Sequence, residues 1–301
     1  MSVVSGNELW QWRRVARQNA RAGGISPEEV DWLLREVAGL DKLVLRWESF
    51  KERSHIQIEK PLSELTQLWQ RRLEEKFPLQ YVAGVAPWRN FSLAVTQSVL
   101  IPRPETEYLI DLSVEACRDR IDSVSPTLQE GNWADLGTGS GAIALGLAEV
   151  FKEATIHATD CSAEAIAIAK QNAWRCHLNN QIEFYLGSWF EPLSALKGQL
   201  SGIVANPPYI PSAIVPQLQL EVSRHEPHLA LDGGPDGLDC IRHIINTAPS
   251  YLRWGGVLLI EMMAGQAPLV CEFLDRQGSY NSIKICSDLA GIERFALAYR
   301  S

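Results

Sequence analysis

The chain has 301 residues, of which 46% are hydrophobic and 21% are charged, and it carries a formal net charge of −8. This composition is typical of one large globular domain or of a large and a small one, and it excludes a fibrous repeat and a disordered tail. Its apolar runs are far shorter than the roughly 18 to 20 residues that cross a bilayer, and its first residues do not resemble a secretory signal. We therefore expect no membrane association and a cytoplasmic location.

Charge is distributed unevenly along the chain. Residues 1–103 contain 15 basic and 12 acidic side chains (+3), whereas the remainder contains 13 and 24 (−11). The acidic remainder argues against a broad phosphate-contacting surface, so we expect no stable nucleic-acid binding. The six cysteines are scattered without a Cys-x-x-Cys pair or a Cys/His cluster, so the sequence predicts neither a disulfide framework nor a metal site.

The first part of the chain has helical periodicity. Apolar residues recur at helical spacing from about residue 6 to residue 76, with almost no strand-like alternation. Ser26, with Pro27 next and Glu29 three positions on, forms a capping-box pattern that predicts a helix from Pro27 to about Val37. We expect residues 1–85 to form a small all-α domain.

The pattern changes after Pro78. Residues 91–95 alternate apolar and polar side chains, which predicts a short strand or hairpin. We therefore expect residues 86–103 to form a connector between two domains.

From residue 104 onward, strand-like and helix-like segments alternate. The predicted strands are 132–136, 155–159, 182–186, 202–205, 257–261, 282–286 and 294–299. The predicted helices are 106–120, 142–151, 163–174 and 266–275, with a polar linker at 123–131. This alternation predicts an α/β fold over residues 104–301, with a Rossmann-like parallel sheet and a closing antiparallel hairpin.

A glycine-rich turn joins the first predicted strand of this sheet to a helix. Its spacing is Gly-x-Gly-x-Gly, not the Gly-x-Gly-x-x-Gly of dinucleotide loops, and an aspartate precedes it. A carboxylate repels a pyrophosphate but suits a cation-bearing ligand, and S-adenosylmethionine carries a sulfonium and an ammonium. The residues predicted to bind this cofactor here are Asp135, Gly137, Thr138, Gly139, Ser140 and Gly141.

Polar and aromatic residues follow the next two predicted strands. Asp160 follows the second strand, where a carboxylate can accept hydrogen bonds from both ribose hydroxyls of a nucleoside. Ser188 and Trp189 follow the third strand and offer polar groups and an aromatic wall for adenine. The alternative is a merely tight turn at the glycines, with Asp160 only capping the next helix.

Asn206, Pro207, Pro208 and Tyr209 follow the fourth predicted strand, at the same edge of the sheet. Two prolines stiffen the backbone and remove two amide donors. A planar NH2 group could therefore donate to the Asn206 side-chain oxygen and to the Pro207 carbonyl, with its face against the Tyr209 ring. Such a grip localises the nitrogen lone pair and aims it at the methyl group. The alternative is a proline-rich turn with a surface tyrosine.

Together with these motifs, several further segments are distinctive. They are Pro78–Gly84, Val99–Glu107, Glu226–Pro227, Asp232–Gly234, Asp236–Leu238, and Asp288 with Gly291 and Arg294. On these residues the sequence resembles the class I S-adenosylmethionine-dependent methyltransferases. More narrowly, it resembles the peptide chain release factor N5-glutamine methyltransferase family. Met263 stands where that family usually has glycine, which puts the local turn in question.

The resemblance implies that the methyl acceptor is the glutamine of the Gly-Gly-Gln motif of peptide chain release factors. It also implies that the cofactor is held by residues 137–141, Asp160, Trp189 and Asn206, and the glutamine by residues 206–209. The helical domain would bind the release factor. Arg103, Glu105 and Thr106 are expected at the mouth of the site, with a purely structural role as a domain connector as the alternative.

Two other functions remain open at this point. An adenine-N6 methyltransferase acting on nucleic acid also fits an Asn-Pro-Pro-Tyr segment, although it would have to extract a base from its stack. A non-catalytic binding module with the same fold is the third possibility, and the intact Gly139 and Asn206 argue against it.

Overall fold

The computed structural model describes residues 1–118 and 128–301. In these ranges the strands are β1 (Ser2–Val4), β2 (Ile56–Ile58), β3 (Val85–Trp88), β4 (Phe91–Ala94), β5 (Asn132–Leu136), β6 (Thr155–Asp160), β7 (Ile182–Leu186), β8 (Leu200–Ala205), β9 (Leu252–Glu261), β10 (Tyr280–Ser287) and β11 (Glu293–Arg300). The α-helices are α1 (Gly6–Ala22), α2 (Glu28–Glu36), α3 (Lys42–Arg46), α4 (Leu62–Glu74), α5 (Leu79–Ala83), α6 (Tyr108–Arg118), α7 (Ala142–Val150), α8 (Ala163–Arg175), α9 (Leu220–His225), α10 (Asp239–Thr247) and α11 (Ala267–Gln277).

The chain divides into two compact units. The first contains residues 1–85 together with helix α9, and the second contains residues 86–219 and 226–301. The first unit is mainly helical, with a core that includes the fully buried Leu9, Leu33 and Leu65. Strands β1 and β2 pair antiparallel within it. We expected an all-α domain, so this pair of strands corrects that expectation. Three residues per strand are too few to leave an alternation signal.

The predicted capping box at Ser26 does not form. The Ser26 hydroxyl accepts a 3.3 Å bond from the backbone N–H of Glu28, but the Glu29 carboxylate accepts hydrogen bonds from Arg72 instead. Arg72 is 7% exposed, and it also pairs with Glu221 of α9 at 2.7 Å. A buried guanidinium left without partners costs more than a lost capping bond, and this explains why Glu29 turns away from the helix end.

The second unit is built on a seven-stranded sheet with the order β10-β11-β9-β8-β5-β6-β7. Strands β5 to β9 run parallel, whereas β11 is antiparallel to both β9 and β10. Helices cover both faces, and every residue of β8 is buried as a result. The predicted α/β class, a Rossmann-like sheet with a closing hairpin, is confirmed.

The topology places one edge of this sheet in the position of a ligand site. Among the seven strands of this sheet, β5 comes first in the chain. It lies between β6 and β8, so the strand order reverses there. In open α/β sheets, ligands bind outside the carboxyl ends of the strands at such a reversal. The loops that follow β5, β6, β7 and β8 are therefore expected to form the ligand site.

Most boundaries in this unit agree with the predicted ones. The helices expected at 142–151, 163–174 and 266–275 are present as α7, α8 and α11. The helix expected from residue 106 begins as a 3₁₀ turn and continues as α6. Residues 119–120 of that prediction, and residues 123–127 of the predicted linker, lie outside the described residues.

Helix α10 was missed, although it carries a helical signal. Ile241, Ile244 and Ile245 recur at helical spacing and are fully buried. The glycine- and aspartate-rich stretch at residues 232–238 directly before them is typical of a loop and masked the start of the helix. Among the helices of the described ranges, none combines the length and the apolar character needed to cross a membrane.

Candidate active site

A cavity of about 280 Å³ lies within the second unit, at the carboxyl ends of the parallel strands. Most of the residues predicted for the site line it: Thr106, Gly137, Thr138, Gly139, Ser140, Asp160, Ser188, Trp189, Asn206 and Pro208. Five others lie outside its lining: Arg103, Asp135, Gly141, Pro207 and Tyr209. Residues of the glycine loop after β5 and of the segment after β8 therefore reach one cavity. Some residues of both segments lie outside its lining.

The glycine loop after β5 needs its glycines for two reasons. Gly137 and Gly141 have φ angles of 75° and 85°, in the left-handed region that favours glycine. A Cβ atom on Gly141 would also lie 3.1 Å from the Cβ atom of Ala169 on α8. The backbone N–H groups of Gly137 and Thr138 both donate to the Thr159 carbonyl at 2.9 Å, which ties the loop to β6.

We expect Gly141→Ala to lower the melting temperature more than Gly139→Ala. Both glycines have positive φ (85° and 54°), which costs a non-glycine residue about 1–2 kcal/mol. Only at Gly141 does the added methyl group also meet Ala169, because a Cβ atom on Gly139 has no described atom within 4 Å. Thermal unfolding of the two variants measures the difference, and equal melting temperatures would contradict this account of the loop.

Asp160, at the end of β6, is hydrogen-bonded to the backbone on both sides of the cavity edge and also faces the cavity. Its carboxylate accepts 2.9 Å hydrogen bonds from the backbone N–H groups of Gly139 and Ser162, so it shapes the glycine loop and the start of α8. It also lines the cavity. Burial raises its pKa, and these backbone hydrogen bonds oppose that effect. A half-satisfied carboxylate on the cavity wall keeps acceptor capacity for a ligand.

Asp135 lies beneath the loop and outside the cavity lining, so its contact with a ligand stays a prediction. Its Oδ2 atom accepts hydrogen bonds from the Thr138 hydroxyl (2.6 Å) and the Ala144 backbone (2.9 Å). Its Oδ1 atom is buried and has no hydrogen-bond partner among the described residues. Burial raises the pKa of Asp135 to about 7, and the nearby Asp160 charge adds to the effect. Burial and the Asp160 charge thus disfavour the ionised form of Asp135, whereas a cation nearby would favour it.

Ser188 and Trp189 follow β7 and form another wall of the cavity. Trp189 has a φ of 48°, a left-handed conformation that is unusual for a bulky residue. Its ring packs over Gly137, where an added Cβ atom would be 3.4 Å away. The strained backbone thus directs a large aromatic surface against the glycine loop.

Asn172 of α8 supports the same loop and was missed by the sequence reasoning. This fully buried side chain donates to the Ser140 carbonyl at 2.8 Å and to the Ala94 carbonyl at 3.0 Å. Its Oδ1 atom accepts from the Ala94 backbone at 2.6 Å. The signal was an asparagine on the apolar face of a predicted helix, because such a residue needs buried partners.

The segment after β8 is tied to its surroundings by a chain of hydrogen bonds. The Asn206 side-chain NH2 donates to the Thr106 hydroxyl at 3.2 Å, and that hydroxyl donates to Glu261 Oε2 at 2.8 Å. The Tyr209 hydroxyl donates to Glu261 Oε1 at 3.1 Å. Glu261 is 1% exposed at the end of β9. Thr106 therefore joins Asn206 to a buried carboxylate that the sequence reasoning did not place in the site.

Tyr209 is only partly exposed, and its hydroxyl is committed to Glu261. Burial and the adjacent carboxylate both raise the pKa of Tyr209, so the phenol stays protonated. Pro207 is buried, whereas Pro208 lines the cavity. The four-residue segment is thus rigid, with Asn206 and Pro208 on the cavity side.

Gln266 fixes the same segment from the other side. Its side-chain NH2 donates to the Tyr209 carbonyl at 3.0 Å, and its oxygen accepts from the Met263 backbone at 2.9 Å. Met263 does not have a positive φ, so the turn forms without the glycine that is usual there. The turn after β9 is therefore present although Met263 stands in place of glycine.

Arg103 lies outside the cavity lining and holds neighbouring walls together. Its guanidinium donates to both carboxylate oxygens of Glu226, at 2.8 and 2.9 Å, and the side chain of Glu226 is 1% exposed. Pro227 and Leu229, which follow Glu226, line the cavity. The ion pair thus connects Arg103 to a segment of the cavity wall, and its expected place at the mouth of the site stays a prediction.

The sequence of this chain is similar to those of known methyltransferases. A family model described as a methyltransferase small domain matches residues 117–218. The chain is 49% identical over 98% of its length to a release factor glutamine methyltransferase of Synechocystis, 97% of which is covered. It is 47% identical, over 98% of its length and 99% of the other chain, to one of Thermosynechococcus vestitus. The chain belongs to the release factor glutamine methyltransferase family.

The fold comparison is consistent with membership in the release factor glutamine methyltransferase family. A methyltransferase from Pyrococcus furiosus matches 70% of this chain and 89% of its own with a TM-score of 0.50, at 15% identity, which shows a shared fold only. Its relatives at 49% and 47% identity, not this fold match, show that the chain is an enzyme of the methyltransferase class. Its cavity at the carboxyl edge of the sheet is the candidate active site.

Proposed function

We propose that the protein transfers a methyl group from S-adenosylmethionine to the side-chain amide nitrogen (N5) of the glutamine in the Gly-Gly-Gln motif of peptide chain release factors. One observation carries this proposal: residues 137–140 of the glycine loop, Asp160, Asn206 and Pro208 line the same cavity. The names of the relatives support the substrate. The cytoplasmic location expected from the sequence is compatible with such a substrate.

The residues present fit S-adenosylmethionine. Asp135 Oδ1 is buried without a partner among the described residues, and the Asp160 carboxylate lies nearby, so a ligand with a sulfonium and an ammonium group would favour the ionised form of both carboxyls. A pyrophosphate would be repelled by the same two groups. The bound cofactor supplies a methyl group activated by the positive sulfur.

We assign the cofactor's parts to the three strand ends in order. The loop residues Thr138 to Ser140 would hold the amino-acid part, supported by Asp135 and Gly141 from outside the lining. Asp160 would accept hydrogen bonds from the ribose hydroxyls, because its carboxylate reaches the cavity. Ser188 and the Trp189 ring would contact the adenine, since an aromatic face stacks on a flat base.

We assign the acceptor glutamine to the segment after β8. An amide nitrogen is a poor nucleophile because its lone pair is delocalised into the carbonyl. Acceptors at Asn206 Oδ1 and the Pro207 carbonyl would take its two N–H bonds and favour a localised lone pair. They would also stabilise the positive charge that develops on this nitrogen during transfer. The Tyr209 ring, anchored through Glu261, would support the face of the amide.

The proposed domain roles follow the same reasoning. Residues 104–301 would carry out methyl transfer, residues 86–103 would connect the domains, and the mainly helical residues 1–85 would bind the body of the release factor. A protein substrate that presents one loop to the cavity needs a second surface for affinity, since a three-residue motif buries little area.

A methylation assay tests the proposed function. The purified protein is incubated with labelled S-adenosylmethionine and a peptide chain release factor, and mass spectrometry then locates the methyl group. We expect it on the glutamine of the Gly-Gly-Gln motif, and replacement of that glutamine by alanine should abolish labelling. Labelling that survives the replacement, or methylation of nucleic acid without methylation of protein, would overturn the assignment.

A further inference from the structure

We propose that Glu261, acting through Thr106, determines which end of the Asn206 side-chain amide faces the acceptor. Glu261 is thus a positioning residue, since it touches Thr106 and Tyr209 but does not line the cavity. The proposal rests on the proposed function, in which the oxygen of Asn206 receives an N–H of the substrate. It adds the reason why that oxygen, and not the NH2 group, is presented.

The hydrogen atoms of the Thr106 and Asn206 side chains set this orientation. A threonine hydroxyl has one hydrogen to donate and two lone pairs to accept with. An ionised carboxylate only accepts, so the Thr106 hydrogen must point to Glu261 Oε2, at 2.8 Å. Towards Asn206, at 3.2 Å, Thr106 can then only accept. Asn206 must turn its NH2 group to Thr106, which leaves its oxygen as the free end.

The same carboxylate also holds the far end of the segment. Its Oε1 atom accepts from the Tyr209 hydroxyl, so both oxygens of Glu261 have protein partners. The side chain is buried, and water does not readily replace these bonds. One carboxylate thus sets the orientation of Asn206 and anchors Tyr209, the two ends of the four-residue segment.

The charge of Glu261 is the variable in this arrangement. Thr106 and Tyr209 donate to it, the Arg294 charge favours its ionised form, and the Glu105 charge opposes it. Arg294 is itself paired with Asp288 at 2.7 Å. Burial is the largest effect and raises the pKa of Glu261 to about 7. Once protonated, Glu261 can donate to Thr106, whose own hydrogen is then free to bind the Asn206 oxygen.

Glu261→Gln tests this directly, because a glutamine amide has one acceptor oxygen and cannot accept from both Thr106 and Tyr209 through its two ends. The measurement is ¹H–¹⁵N NMR of the full-length protein labelled on asparagine, with the Asn206 NH2 signals assigned by their loss in Asn206→Ala. We expect these signals to titrate near pH 7 in the wild type and to lose that titration in Glu261→Gln. Glu153→Gln, an exposed change with the same loss of charge, should behave as the wild type.

Kinetics provide the second measurement. We expect Glu261→Gln and Thr106→Val each to lower kcat about 10- to 100-fold, because the substrate then meets a wrongly oriented amide. Cofactor affinity should change less than about twofold, since Asp160 and the glycine loop are untouched. Thr106→Ser keeps the hydroxyl and should restore most of kcat. If Thr106 acted only by packing, the kcat of Thr106→Ser would not exceed that of Thr106→Val.

The outcomes separate this inference from the proposed function. An Asn206 titration that persists unchanged in Glu261→Gln would overturn the inference, even if the release factor is methylated normally. A titration that disappears in Glu261→Gln supports it, even if the methyl acceptor proves to be another NH2 group. Failure of release factor methylation alone would count only against the proposed substrate.

Discussion

Replacing Asn206 by alanine should lower kcat by about 100- to 1000-fold, the range seen when one preorganised group that stabilises transition-state charge is removed. The variant loses the acceptor oxygen that would receive an N–H of the substrate amide. It also leaves the Thr106 hydroxyl without its donor. Binding of S-adenosylmethionine, the methyl donor, should weaken only a few-fold, because the glycine loop and Asp160 remain. Rapid-quench methyl transfer, with calorimetry of donor binding, measures the two quantities separately.

A matched control is available in the same unit. Asn179 is exposed, and its side chain contacts only the neighbouring Asn180 among the hydrogen bonds described, so Asn179→Ala should leave kcat unchanged. If Asn206→Ala turned over at the wild-type rate while it bound the donor normally, the acceptor mechanism would be wrong. A loss of donor binding equal to the loss of kcat would instead move Asn206 to the cofactor side of the site.

The glycine loop, which we propose binds the methyl donor, was predictable because its determinants are local. The glycines at 137, 139 and 141 lie between a strand and a helix that periodicity identifies, and their positive φ angles follow from the tight turn. The orientation of Asp135 was not predictable in the same way. Its place next to the loop suggested a ligand contact, but the side chain turns beneath the loop to Thr138 and Ala144.

The segment proposed to bind the acceptor depends on contacts between residues far apart in the chain. Thr106 and Glu261 are separated by 155 positions, and Arg103 and Glu226 by 123. Arg103, Thr106 and Glu226 lie in segments that carry the family resemblance, but sequence spacing does not say which side chains meet. The pairing depends on the sheet order, which brings β9 beside β8 and thereby Glu261 beside the Asn206 segment.

The same reasoning explains the missing capping box in the first unit. Local pattern favoured Ser26 with Glu29, yet Glu29 binds Arg72, which is 43 positions away. Arg72 also binds Glu221 of α9, and no local signal could place that short helix with residues 1–85. Long-range ion pairs of buried arginine therefore decided features that short-range propensity could not.

Asp160→Ala should weaken binding of S-adenosylhomocysteine by about 100-fold or more, because charge-assisted hydrogen bonds are each worth about 1.5–3 kcal/mol. The variant removes the proposed acceptor for the ribose hydroxyls. It also leaves the backbone N–H groups of Gly139 and Ser162 without their acceptor. Asp275→Ala, an exposed change on α11, is the control for the lost charge and should bind normally.

A second ligand separates these two effects of Asp160→Ala. An S-adenosylhomocysteine analogue without ribose hydroxyls should bind the wild type much more weakly than the parent compound, since it leaves the carboxylate unpaired. In Asp160→Ala the two ligands should bind with nearly equal affinity, because the group that distinguishes them is gone. If the analogue remained equally disfavoured in the variant, Asp160 would act only by shaping the loop. The ribose contact would then have to be assigned to another residue of the cavity wall.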